Sequence, residues 1–386
     1  MILLIPLAVV LAVLVSIVVL AVGYGGKEGF TILVKSFWLL AILSVVVLSL
    51  TWVERKALAR IQQRIGPMRV GPYGLLQPIA DGLKLVIKED IMPAWVDKPV
   101  YWIAPLAVFV PSFAVWVAIP FSSDLVLRDM DLGLLYILAM SVLSIIGLIM
   151  AGWGSANKYG IIGGLRSAAQ LISYEIPLIV IAITIGMLAG TLNLTSIATG
   201  QGNIWYVLLQ PLALVIFLLA GLAEVGRSPF DIFQAESELV GGPFIEYSGA
   251  HWSIFFLGEY INTFLVAALI TIFFLGGWSG PLLPELVWFF IKCYGVIIVM
   301  FWIRGTLPRL RIDQLMAFGW QALVPLSFLN FIMVSFALFY GWPNWVQTIL
   351  SLTVLVAAST FIYTKTAGKK VRPTVRLIPA REVRRA

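Results

Sequence analysis

The chain holds only 19 Asp and Glu among 386 residues, so the positions where acids occur carry information. Glu224, Asp231, Glu236, Glu238 and Glu246 gather in one polar stretch, 224–252, whose only Lys or Arg is Arg227. Glu175, in Ser173-Tyr174-Glu175-Ile176-Pro177, and Glu259, in Leu257-Gly258-Glu259-Tyr260, interrupt apolar runs, as does Lys292 in Phe290-Ile291-Lys292-Cys293. An ionisable group at bilayer depth costs about 2.5–3.5 kcal/mol on insertion scales, which makes it a functional candidate by default. Burial favours the protonated form of a carboxyl, so such groups can load and release protons near neutral pH. The plain alternative is a paired structural charge, such as Glu259 with Lys292. Glu224, Asp231 and Glu238 are seven apart and would share a helix face, but Ser228-Pro229 breaks that helix.

The bases have their own concentration. Stretch 54–99 opens Glu54-Arg55-Lys56, continues through Arg60, Arg64 and Arg69, and contains the Gly66-Pro67 and Gly71-Pro72 turn signals. Residues 77–90 then read as an amphipathic helix, with Asp81, Lys84 and Lys88 on one face and Ile79, Leu83, Val86 and Ile87 on the other. That pattern fits a helix lying at an interface. Three readings stay open: a basic loop held by lipid, a docking floor for a partner, or the mouth of a cavity for a polar-headed ligand.

These residues need a scaffold, and the composition dictates its class. Hydrophobic residues make up 61% and charged residues 12%, against about 25% charged in a soluble domain. Mean hydropathy is +1.00. A soluble enzyme, a disordered chain and a nucleic-acid-binding domain are excluded. A membrane span needs about 20 apolar residues. Ten stretches qualify: roughly 2–23, 31–53, 100–121, 133–153, 171–190, 204–223, 253–276, 284–303, 319–340 and 345–363. Runs of this length are helices rather than barrel strands. The expected fold is all-α, a polytopic transmembrane helix bundle of about ten spans, or nine if the first is lost. Residues 1–363 form one multi-span membrane domain and 364–386 a basic tail. The apolar start has no Lys or Arg before it and reads as a retained span. With the N-terminus inside, the stretches 54–99, 154–170, 224–252, 304–318 and the tail fall on one side and carry 22 of the 26 bases, the bias expected of cytoplasmic loops.

One cysteine, Cys293, and one histidine, His251, exclude a disulfide within the chain. They are also too few for a Cys-ligated iron–sulfur cluster, a bis-His haem or an ordinary zinc site. The chain is expected to bind no redox cofactor of its own. His251 lacks a second His or Cys for a ligand role, and Cys293 reads as a small buried hydrophobe.

Several stretches, taken together and in order, resemble the H-type (ND-one-type) membrane subunit of proton-pumping NADH:quinone oxidoreductase, respiratory complex I. The first are Val53-Glu54-Arg55-Lys56, Arg64-Ile65-Gly66-Pro67 and Gly74-Leu75-Leu76-Gln77-Pro78-Ile79-Ala80-Asp81-Gly82-Leu83-Lys84. Next come Gly152-Trp153-Gly154-Ser155-Ala156-Asn157-Lys158-Tyr159 and the run from Arg166 to Glu175. Arg227-Ser228-Pro229-Phe230-Asp231, Ala235-Glu236-Ser237-Glu238-Leu239-Val240, Glu246-Tyr247-Ser248-Gly249 and the run from Trp302 to Gln314 complete the match, which covers about 31 to 363.

The resemblance implies a quinone cavity shaped by Arg55, Arg64, Asp81, Lys84, Arg227, Phe230 and Asp231. It also implies a charged proton path through Glu175, Glu224, Glu236, Glu238, Glu246 and Glu259. Quinone is then the substrate, while FMN, NADH and the iron–sulfur clusters belong to partner subunits. Those partners would be the peripheral-arm quinone-module subunits, one with the terminal iron–sulfur cluster, plus small membrane subunits, antiporter-like pump subunits and lipid. The implied location is the plasma membrane of a bacterial type of cell, with the basic loops cytoplasmic. The chain departs from the family in Gln234, where an acid is usual, in Gly226, where Asn is common, in the additional 2–23 span and in the length of its tail. A Gln hydrogen-bonds but does not titrate. A homologous anchor subunit of a membrane-bound hydrogenase or ferredoxin-driven complex is the alternative. A stand-alone proton-coupled transporter is a third, although transporters often show repeats and none is visible here.

Overall fold

The computed structural model describes residues 4–202, 204–232 and 236–367; Gln234 and most of the basic tail lie outside the described residues. The chain is a bundle of helices: α1 Leu4–Ile61, α2 Gln77–Ile87, α3 Lys98–Ala114, α4 Gly133–Gly154, α5 Lys158–Ala189, α6 Leu194–Thr199 and α7 Tyr206–Leu209. These are followed by α8 Pro211–Glu224, α9 Glu236–Leu239, α10 Gly249–Phe274, α11 Glu285–Thr306, α12 Ile312–Phe318, α13 Val324–Phe339 and α14 Asn344–Ala367. No strand occurs among the described residues.

Eight helical stretches are long and apolar enough to cross a membrane among the described residues, against the ten expected. The first of the eight begins at Val34, so 2–23 lies outside this count; the other difference has a local cause. Stretch 204–223 is divided into α7 and the 14-residue α8. Gln210, preceding Pro211, takes non-helical angles (φ −132°, ψ 60°), as the steric bulk of a proline demands of its predecessor. Stretches 2–23 and 31–53 belong to one helix, α1, with no turn between them. No proline falls between Pro6 and Pro67, and the glycines around 25 lower helix propensity without ending the helix.

Two helices, α5 and α10, form the buried centre. α5 packs on α4, α8 and α13, and α10 on α3, α11, α8 and α1. A large aromatic and aliphatic core surrounds them, with Trp116, Tyr174, Phe217, Phe264 and Phe273 fully buried. On its two sides α4 meets its neighbours at backbone distance. A Cβ on Gly147 would lie 2.6 Å from Val108 of α3, and one on Gly152 would lie 2.6 Å from the Gly160 carbonyl oxygen of α5. Small residues allow such approach where helices associate by packing rather than by excluding water.

Helix direction alternates, so the chemistry-bearing stretches collect at one end: the ends of α1, α4, α8 and α11 and the starts of α3, α5, α10 and α12. Cross-links hold this end together. The Asp97 N–H donates to the Gly154 carbonyl at 3.2 Å, and the Leu310 N–H to the Pro229 carbonyl at 3.1 Å. Lys292 lies at the opposite end. Its ammonium donates to the carbonyls of Leu275 (2.6 Å), Gly277 (3.0 Å) and Ser279 (2.7 Å), and it stands over the Trp205 ring. A pairing of Lys292 with Glu259 is therefore wrong. The lysine caps the C-terminal end of α10, where a cation complements the helix dipole.

Candidate functional site

A buried charged cluster joins three helices and one turn. Glu54, near the end of α1, faces Arg227, three residues past α8; Oε1 and Nη1 are 3.6 Å apart, with side chains 7% and 8% exposed. Arg227 Nε is 3.2 Å from Glu259 Oε1 of α10. Arg304, in the last turn of α11, pairs with the same Glu54 oxygen. The Tyr260 hydroxyl donates to Glu54 Oε2 at 2.7 Å, and its ring lies 4.4 Å from the Arg227 guanidinium carbon. Burial alone would favour neutral arginine, but the Glu259 and Glu54 carboxylates outweigh it and hold the Arg227 pKa above the ordinary value. Two carboxylates therefore share two guanidiniums and one phenol. A change of charge at any member alters the balance for all of them.

Backbone chemistry places Arg227. The α8 helix ends with the Gly226 N–H donating to the Ala223 carbonyl (3.1 Å) and the Arg227 N–H to the Leu222 carbonyl (3.2 Å). Gly226 is left-handed, φ 67°. Gly and Asn are the residues that adopt this terminating conformation at little cost, so Gly226 meets the geometric demand of this turn. The buried Gln170 amide then staples the turn, donating to the Ala223 and Phe230 carbonyls, each at 2.8 Å.

The residues expected around a cavity divide into three groups. Arg55, Asp81 and Lys84 come together: Arg55 pairs with Asp81, Lys84 approaches it at 3.8 Å, and Gln77 donates to it at 3.3 Å. The polar side chain Asp81 of α2 turns to α1, while Ile79, Leu83, Val86 and Ile87 stay exposed. The helix also stops at Ile87, because Lys88 turns to extended backbone (φ −61°, ψ 138°). Arg227 joins the buried cluster instead. Arg64, Phe230 and Asp231 sit apart from both. Arg64 is exposed and donates to Gln62. Phe230 is buried, its ring packed near Tyr174 and Phe318. Asp231 meets Arg309, which donates to its main-chain carbonyl.

The other acids also fall into separate groups. Glu175 accepts from Ser141 at 3.1 Å and lies close enough to Glu224 to interact electrostatically. Glu224 Oε2 is buried with no hydrogen-bond partner among the described residues. Glu246 accepts from Asn157 Nδ2 at 2.7 Å; the other amide atom of Asn157 caps α5 by accepting from the Tyr159 N–H. Glu238 pairs with Arg166 at 2.7 Å near the surface. The Glu236 backbone opens α9. Glu224, Asp231 and Glu238 share no helix face, since no described helix crosses 225–232.

Sequence reasoning passed over Glu54, Tyr260, Arg304, Arg309 and Asp90 as site residues. For Glu54 the signal was present: it closes the apolar run 31–53 much as Glu175 interrupts its own. His251 also has a partner that spacing did not reveal, the Asp90 carboxylate.

The profile of the family described as NADH dehydrogenase matches residues 34–335. A protein of Dehalococcoides mccartyi (strain CBDB1), named as the H subunit of NADH-quinone oxidoreductase, is 49% identical over 292 residues, covering 76% of this chain and 82% of that one. The H subunit of Geobacillus thermodenitrificans is 47% identical, covering 80% and 95%. An H subunit of Syntrophobacter fumaroxidans, numbered 2 in that organism, is 45% identical, covering 82% and 97%.

Proposed function

The chain belongs to the family of H-type NADH-quinone oxidoreductase subunits, and from that membership we propose that its Glu54–Arg227–Glu259–Arg304 cluster borders a quinone cavity and opens a carboxylate path coupling quinone reduction to proton translocation. It is a membrane subunit of complex I. The observation that carries the proposal is the gathering of two carboxylates and two guanidiniums in one contact group, around the buried Glu54 and Arg227, at the end of the bundle where the site residues collect.

Reduction of a quinone to a quinol takes up two electrons and two protons. The electrons come from partner subunits that hold FMN and the iron–sulfur clusters. This chain contributes charge and position. Arg55, Asp81 and Lys84 shape the mouth between α1 and α2, and Arg227 with Tyr260 holds Glu54 and Glu259 in fixed register. Proton uptake at the headgroup perturbs the shared Arg227, and the perturbation spreads by electrostatics towards Glu224 and Glu175. Glu224, whose Oε2 has no hydrogen-bond partner among the described residues, is the member best placed to take up a proton. Glu246 and Glu238 stand as side branches, each held by its own partner.

The terminal iron–sulfur subunit and its quinone-module neighbour would cover the exposed apolar face of α2, and the small membrane and antiporter-like subunits would pack against the bundle. The complex would sit in a bacterial plasma membrane with the charged end cytoplasmic. The names of the relatives favour this reading over a hydrogenase anchor or a stand-alone transporter.

Arg227→Gln in the intact complex is the test. Quinone-dependent NADH oxidation should fall, while NADH oxidation by a water-soluble acceptor, which bypasses the membrane arm, should stay normal. Unchanged quinone turnover would contradict the assignment.

A further inference from the structure

The sole histidine holds a segment that the charged cluster does not explain. After α2, residues 88–97 cross the start of α10. His251, in the first turn of α10, pairs with Asp90 through Nδ1. Ser248, immediately before α10, donates to Asp90 Oδ1 at 3.2 Å and accepts the Ile91 N–H at 2.9 Å. A Cβ on Gly249 would lie 3.1 Å from the Lys88 carbonyl, so the segment runs against the helix end. The Asp90 carboxylate thus sits at the N-terminus of α10, where the helix dipole favours an anion. The His251 side chain is 9% exposed and that of Asp90 27%.

The groups facing His251 come from two elements. Asp90 comes from the segment; Lys88 and Glu89 beside it are exposed. From α3, Trp102 meets the imidazole edge-on at 4.3 Å and Tyr101 lies 5.5 Å away. The Tyr101 hydroxyl donates to the Glu246 carbonyl at 3.1 Å. On the other side of the segment, α2 carries Asp81 and Lys84 to Arg55. Fixing the segment therefore fixes α2 against both α10 and α1.

We propose that His251 is a positioning residue for the quinone site: paired with Asp90, it fastens segment 88–97 over the start of α10, and so holds α2 at the mouth. The role rests on the quinone reading given above.

Two readouts on the intact complex test this. The first is hydrogen exchange of the peptide containing Ile91, and the second is the apparent KM for quinone. His251→Leu should speed that exchange and raise KM, each by about three- to tenfold, tenfold being the effect of 1.4 kcal/mol; kcat should change little. His251→Gln keeps a donor to Asp90 and should stay closer to the wild type. Wild-type exchange and KM in His251→Leu would overturn the proposal; if that variant does not assemble, Asp90→Asn decides by the same two readouts. Exchange at Ile91 does not involve quinone, and Arg227→Gln probes the cavity independently. A normal Arg227→Gln together with fast Ile91 exchange in His251→Leu would therefore refute the cavity and spare the latch.

Discussion

Arg227 Nη1 lies 3.6 Å from Glu54 Oε1, and each side chain is more than nine-tenths buried. One residue follows a broken apolar helix, and the other closes the first long helix. Folding brings them to a contact that Glu259, Tyr260 and Arg304 complete. Removing one partner of a buried charge pair costs about 3–5 kcal/mol, because the remaining charge is left uncompensated. Arg227→Ala should therefore lower the Tm of the assembled complex more than Arg227→Lys, which keeps the charge. Equal melting of the two variants would mean that the cluster is more hydrated than its burial indicates.

At the proposed mouth, Arg55 and Asp81 form a part-exposed pair, and exposed pairs contribute about 0.2–1 kcal/mol. Arg55→Ala and Asp81→Ala should each raise the apparent quinone KM by no more than about fivefold, given 1.4 kcal/mol per factor of ten. The double variant should be no worse than the worse single one. Full additivity of the two effects would break the assumed pairing.

Gly226 offers a test of backbone geometry. At φ 67° an ordinary L-residue costs about 1–2 kcal/mol, and Asn tolerates the region better. Gly226→Asn should retain quinone turnover, and Gly226→Val should lose both stability and turnover. A harmless valine would show that the turn can relax without moving Arg227.

Lys292 separates structure from mechanism. Lys292→Met deletes three hydrogen bonds to carbonyls beyond α10, each worth about 1.5–3 kcal/mol when the donor is charged. The Tm should drop, and the quinone KM should hold. A raised KM with an unchanged Tm would assign Lys292 to the path instead.

Much of the bundle was legible because apolar length is a strong local signal. The spans at 133–153, 253–276 and 284–303 appear as α4, α10 and α11 with ends shifted by a few residues. The division of 204–223 at Gln210 was written in Pro211 but masked by the hydrophobicity around it. The continuity of α1 was masked in the opposite way, since Gly-rich polar residues at 23–29 resemble a turn and yet carry no stop. In the site, acids inside apolar runs were legible, and Glu259 and Glu175 are both buried or nearly so. What spacing could not give was pairing. Glu54, Arg227 and Arg304 meet only through tertiary contact, as do Asp90 and His251.

Buried acids in and beyond the cluster are proposed to couple quinone chemistry to proton movement. The most direct measurement of this is proton uptake alongside quinone reduction in vesicles holding the intact complex with Glu224→Gln or Glu259→Gln. Both variants should assemble and oxidise NADH normally with a water-soluble acceptor, while coupled quinone reduction and proton translocation fall together. Wild-type turnover and pumping in both variants would contradict the claim.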